Sequence, residues 1–147
     1  MSIQVSDVQP CSEGITSVVV ALQLCKTLQP LELRMMDSEH EELVIKLRLN
    51  GGKESAIFVY DADNEAVKLS AVLTFEDFPL TQMETARELA RQEAFVAGIT
   101  LTLTVSDTGN LEAEHIIEPG LPTDTMATRI TSFAGAANRL DVAFEKL

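Results

Sequence analysis

Short runs with a period of two, punctuated by turn residues, commit most of the middle of this chain to six β-strands. Leu31, Leu33 and Met35 alternate with Glu32 and Arg34, and Leu43, Ile45, Leu47 and Leu49 alternate with Val44, Lys46 and Arg48. A third run covers about Ser55–Tyr60. In a fourth, Val67, Leu69, Ala71, Leu73 and Phe75 share one side against Lys68, Ser70 and Thr74. Ile99, Leu101, Leu103 and Val105 then alternate with Thr100, Thr102 and Thr104, and Leu111–Ile117 returns after Asp107-Thr108-Gly109-Asn110. Successive strand side chains point to opposite faces, so each run presents a greasy side that has to be covered. Asp37-Ser38-Glu39-His40, Asn50-Gly51-Gly52 and Asp61-Ala62-Asp63-Asn64 punctuate the first four runs. Asn-Gly pairs accept the positive φ of tight hairpins, and such short separations favour an antiparallel meander.

Three helical patterns can supply the cover. From about Asp124 onward, Met126, Ile130, Phe133, Ala137, Leu140, Phe144 and Leu147 are spaced 4, 3, 4, 3, 4 and 3, a sustained heptad seam. Pro119-Gly120-Leu121-Pro122 separates that seam from the last strand. Thr81-Gln82-Met83-Glu84 matches a capping box for a second helix over Glu84–Ala97, and Gly98 suits the left-handed position that closes it. A first helix is expected from about Glu13 to Leu28, with Ser12 as its N-cap and Pro30 ending it. Ile15, Val18, Val19, Leu22 and Cys25 form its stripe, although three consecutive valines lower its propensity. The expected order is α-ββββ-α-ββ-α. This is an α+β fold, a mostly antiparallel sheet with helices on at least one face. A chain of 147 residues without repeats or linkers is expected to form a single domain, 1–147. At this size roughly 68–70% of the unfolded surface can be buried, so no disulfide or metal is required.

Charge and composition narrow the function classes. Eleven basic residues stand against 23 acidic ones, for a net charge of −12. A nucleic-acid grip takes clustered Lys and Arg, as does a polybasic membrane contact, and neither is expected. Trp is absent and aromatics are 5% of the chain, so stacking platforms are scarce. The stretch Ile15–Leu28 lacks a basic flank and makes a poor signal peptide, and no run reaches the ~18 apolar residues of a membrane helix. Cys11 and Cys25 lie along or beside one expected helix, too far apart axially to bridge, and reduced thiols predict a cytoplasmic protein. Cys25 reads as a small core residue among Leu22, Leu24 and Leu28.

Motifs for chemistry are sparse. The chain has no Walker glycine loop, GxGxxG, CxxC, HExxH or G-x-S-x-G elbow. His40 falls in an acidic turn and is expected to be solvated. His115, between Glu114 and Ile116, is expected to be a half-buried structural residue. Asp61-Ala62-Asp63-Asn64-Glu65 opens like a calcium loop, but Ala66 stands where glycine is needed and Val72 where a bidentate Glu is needed. No catalytic, metal or cofactor site is therefore expected.

One charge pattern is more informative. Opposite the apolar sides of the strands stand Arg34, Lys46, Arg48 and Lys68, with Thr100, Thr102 and Thr104. Two readings are open. The face is an ordinary solvated one whose Lys and Arg guard against aggregation, or it is a docking surface for an extended or acidic partner segment. The C-terminal seam has a similar pair: it packs on its own sheet, or it forms a homodimer contact.

Taken with the element order, several segments resemble the type III secretion chaperone-like fold, and within it YbjN-like proteins. They are Ala56-Ile57-Phe58-Val59-Tyr60, Glu84–Phe95, the hairpin Thr100–Ile117, and Leu121-Pro122 leading to Ala134-Gly135-Ala136-Ala137-Asn138-Arg139-Leu140. The chain departs from that pattern in having four strands in its meander, where such chaperones usually have three. The small motif closing the second helix is reduced to Ala97-Gly98. The resemblance implies a dimeric, non-enzymatic binder that holds a stretch of another protein along its surface, and it transfers no functional residues. The expectation is thus a protein-binding module, chaperone-like or regulatory, with Arg34, Lys46, Arg48 and Lys68 as first contacts. Its rivals are a small-ligand or lipid-binding domain and an enzyme whose site is not recognisable from sequence.

Overall fold

In the computed structural model the described residues are 13–24, 28–37, 42–49, 54–61, 66–74 and 79–144. Cys11, Ser12, Cys25, His40, the Asn50-Gly51-Gly52 turn, positions 62–65 and Phe75 lie outside them. The elements are α1 (Glu13–Leu24), β1 (Leu28–Asp37), β2 (Glu42–Leu49), β3 (Glu54–Asp61), β4 (Val67–Thr74), α2 (Met83–Ala97), β5 (Thr102–Val105), β6 (Leu111–Ile117) and α3 (Thr123–Phe144). This α+β order is the expected one. All six strands join in one antiparallel sheet, ordered β1-β2-β3-β4-β6-β5. The meander therefore continues from β4 to β6, and the short β5 becomes an edge.

Three local expectations give way. The first helix stops at Leu24, and Leu28 and Pro30 belong to β1. Proline cannot donate to a ladder, but β1 is an edge strand, and its register shifts between Pro30 and Glu32. The capping box is absent. The chain enters α2 through a 3-10 turn, Leu80–Gln82, which holds Thr81, and the N-cap is Gln82, with no side-chain cap bond. The fifth strand starts only at Thr102. Ile99 and Leu101 precede it and pack, partly buried, against the core.

The C-terminal end of α2 follows the sequence closely. Gly98 has φ 71°, and the N–H groups of Gly98 and Ile99 both donate to the Ala94 carbonyl, at 2.9 and 3.1 Å. Nothing crowds a Cβ at this position, so conformation alone sets the cost of substitution. Gly98→Ala is expected to destabilise the protein by about 1 kcal/mol, measurable as a lowered urea midpoint at unchanged m-value.

The core forms between one sheet face and all three helices. From the sheet come Ile57, Val59, Val67, Leu69, Ala71, Leu73, Leu111, Ala113 and Ile117. From α3, every described member of the heptad seam is buried: Met126, Ile130, Phe133, Ala137, Leu140 and Phe144. The seam therefore packs within the chain. Beyond it, the other buried residues of α3 are alanines, Ala127, Ala134 and Ala136, and α3 touches both α1 and α2. Small flanking side chains let neighbouring helices approach closely. In α2 the buried residues are again alanines, Ala86 and Ala90. No helix among the described residues is long and apolar enough to cross a membrane.

Candidate functional site

The sheet face away from the helices is defined by register, because residues opposite each other on paired strands share a face. From β1 to β2, Arg34 lies opposite Val44, Glu32 opposite Lys46 and Gln29 opposite Arg48. From β2 to β3, Val44 meets Phe58, Lys46 meets Ala56 and Arg48 meets Glu54. Phe58 then meets Ser70, and Tyr60 meets Lys68. Across β4 and β6, Lys68 meets Ile116, Ser70 meets Glu114 and Val72 meets Glu112. Thr102 and Thr104 of β5 oppose Glu114 and Glu112. The backbone thus brings the positions of Arg34, Lys46, Arg48 and Lys68 to one face, with Thr102 and Thr104. Thr100 lies outside the strand.

The same register places acidic residues among the cations. Glu32 is the cross-strand partner of Lys46, and Glu54 that of Arg48. The Lys68 ammonium lies 3.4 Å from Glu114 and 4.6 Å from the centre of the Tyr60 ring. Opposite-charge pairs of this kind stabilise a sheet by roughly 0.2–1 kcal/mol each. The face is a ladder of alternating charge and not a uniformly basic surface. Arg34, on the edge strand, has Val44 as its cross-strand partner.

Electrostatics on the β4–β6 side follow from this packing. Burial alone would lower the Lys68 ammonium, but the Tyr60 phenol and the Glu114 carboxylate outweigh it and raise its pKa. Burial raises the Glu112 carboxyl, and the neighbouring Glu114 charge adds to this. Lys68 and the Ser70 hydroxyl, which donates to Glu112, offset part of the rise. Ser70 is buried although it lies on the outer side, overshadowed by its larger neighbours. Ile116, at 52% exposure, is the most open apolar side chain on this side among the described residues.

On the inner side the exception to an apolar core is His115. It is 2% exposed, more deeply buried than its sequence context suggested. Its Nδ1–H donates to the Thr100 carbonyl at 2.8 Å, and its ring stacks on Phe133 with centroids 6.2 Å apart. That bond assigns the remaining lone pair to Nε2, which has no hydrogen-bond partner among the described residues. Burial lowers the imidazole pKa, so the ring is neutral in the folded protein.

Among the described residues, no three His, Cys, Asp or Glu side chains converge on a point where a metal could sit. Glu112 and His115, the carboxyl and imidazole whose pKa values the fold shifts, lie on opposite sides of β6. They do not form an acid–base pair about a shared cleft. No protein-family model matches the chain, and no curated protein matches it.

Proposed function

We propose that this chain is a non-enzymatic protein-binding module of the type III secretion chaperone-like, YbjN-like kind, which holds a segment of another polypeptide on the outer face of its sheet in the cytoplasm. One observation carries the reading: the helices contribute to a core on one sheet face, and no described element covers the other. That face mixes apolar side chains (Phe58, Val72, Ile116) with paired charges and threonines. Such a surface suits an extended segment with alternating apolar and polar residues. Side-chain contacts would select the partner, and the edge strands β1 and β5 offer main-chain hydrogen bonds.

A photoreactive residue placed at Ile116 in the native host is expected to cross-link a discrete partner, and the same residue at Gln92 of α2 is not. Equal labelling at both positions, or none at Ile116, would overturn the proposal. The charged contacts are tested separately. Reversing Arg34, Lys46, Arg48 and Lys68 together is expected to weaken capture of that partner by roughly ten-fold or more and to reduce its salt dependence. Unchanged capture would remove the four cations from the site while leaving the face itself in place.

A further inference from the structure

Among the described outward side chains of β3 to β6, Lys68, Glu112 and Glu114 carry charge, and Glu112 is the one left unmatched. Lys68 and Glu114 form their own ion pair at 3.4 Å, and the same ammonium lies over the Tyr60 ring. No ion pair among the described residues includes Glu112. Across the strands it stands between Val72 of β4 and Thr104 of β5, neither of which carries charge. It accepts from the hydroxyl of Ser70, a residue only 2% exposed. Burial and the neighbouring Glu114 charge both disfavour its ionised form. A hydroxyl donor does not neutralise a half-buried carboxylate beside a second one, whereas a cation does.

The strand repeat fixes what accompanies that cation. Ile116 shares the outward side of β6 with Glu112 and lies four residues away, about 13 Å along the strand. Glu114 sits between them, already engaged by Lys68. An extended segment lying along β6 has the same repeat. Its side chains over Ile116 and Glu112 are therefore also four positions apart, on one side of the segment. The position between them meets the Lys68–Glu114 pair, where a small polar residue suffices.

We propose that the polypeptide segment held on the outer sheet face carries a Lys or Arg that ion-pairs with Glu112, and an apolar residue four positions from it that packs on Ile116. The inference rests on the proposed function and deepens it by stating the chemistry of the partner. Charge complementarity at long range acts in the same direction, since a chain of net charge −12 attracts basic segments.

Two short synthetic peptides test it. Both have a Ser/Thr background and one Leu, and they differ only four residues beyond the Leu, where one has Lys and the other Glu. Amide chemical-shift titration of the full chain measures their affinities and locates them. The Lys peptide is expected to shift the amides of β6 and to bind roughly ten-fold more tightly than the Glu peptide, because like charges then oppose each other at Glu112. Added salt is expected to narrow that difference. Glu112→Gln is expected to abolish the preference and Glu112→Lys to reverse it, with circular dichroism confirming that each variant is folded. Equal binding of the two peptides to the wild type overturns the proposal. So does the absence of any shift on β6, or a preference retained in a folded Glu112 variant. Cross-linking at Ile116 reads the face by itself. A discrete cross-linked partner without any charge preference removes the cation and keeps the face, so failure here is distinct from failure of the sheet-face reading.

Discussion

Phe133→Ala is expected to lower the unfolding free energy by about 3–5 kcal/mol. Phe133 is fully buried, sits midway along the α3 seam, and packs over the sheet against His115. Truncation removes the transfer energy of the ring and leaves a cavity whose walls belong to an antiparallel sheet and a long helix, neither free to collapse far. It also strips one side of a buried imidazole whose Nε2 has no hydrogen-bond partner among the described residues. Domains of this kind have only about 5–15 kcal/mol to lose, so the variant is expected to sit near its unfolding threshold at physiological temperature. The measurement is the urea midpoint against Phe95→Ala. The same chemical change at an 88% exposed position is expected to shift stability by no more than about 0.5 kcal/mol. Equal losses at the two sites would show that α3 does not form the centre of the core.

Acidification is expected to destabilise the protein through His115. The unfolded chain holds this imidazole near its ordinary value of 6.5, and the fold lowers it. Burial is the main cause. The Thr100 carbonyl and Glu118 act in the opposite direction, and Arg129 reinforces the lowering. The unfolded state therefore takes up the proton first. Stability falls as pH drops below about 6.5, with a slope of at most about 1.4 kcal/mol per pH unit for one proton, until the folded imidazole titrates as well. A proton on Nε2 would also be a buried donor without an acceptor among the described residues. Urea unfolding at pH about 7.5 and about 5.5 measures the effect. His115→Gln keeps a donor for the Thr100 carbonyl but cannot titrate, so its loss between the two conditions is expected to be smaller than that of the wild type. Glu112 works in the opposite sense, because a raised carboxyl pKa adds stability as pH falls. The difference between wild type and variant isolates the imidazole. Equal losses in both chains would assign the acid sensitivity elsewhere.

Much of the architecture was legible before any coordinates. The seam from Met126 to Phe144 and the alternation in Val67–Leu73 and Leu111–Ile117 depend on local geometry alone. A helix has one stripe to bury and a strand one side, whatever they bury it against. The left-handed Gly98 was legible for the same reason. Leu28 and Pro30 were not. A proline reads as a helix stop, whereas its place on an edge strand follows from which strand ends up outermost. The capping box at Thr81 failed similarly, because the chain turns once as a 3-10 helix before α2 begins.

The candidate site was legible only in part. That Arg34, Lys46, Arg48 and Lys68 fall on one side of their strands follows from odd–even alternation within each run. That Glu32, Glu54 and Glu114 stand beside three of them depends on inter-strand register, which residues tens of positions apart decide together. The depth of His115 likewise depends on α3 lying over β6.

The amino-acid sequence by itself settled which stretches become helix or strand and which side of each is apolar, since these are properties of a few consecutive residues. Tertiary structure decided the strand order, the placing of acidic residues beside three of the four cations in the sheet register, and the burial of a histidine. Each of those is a contact between segments that only the packed sheet and its helical roof bring together.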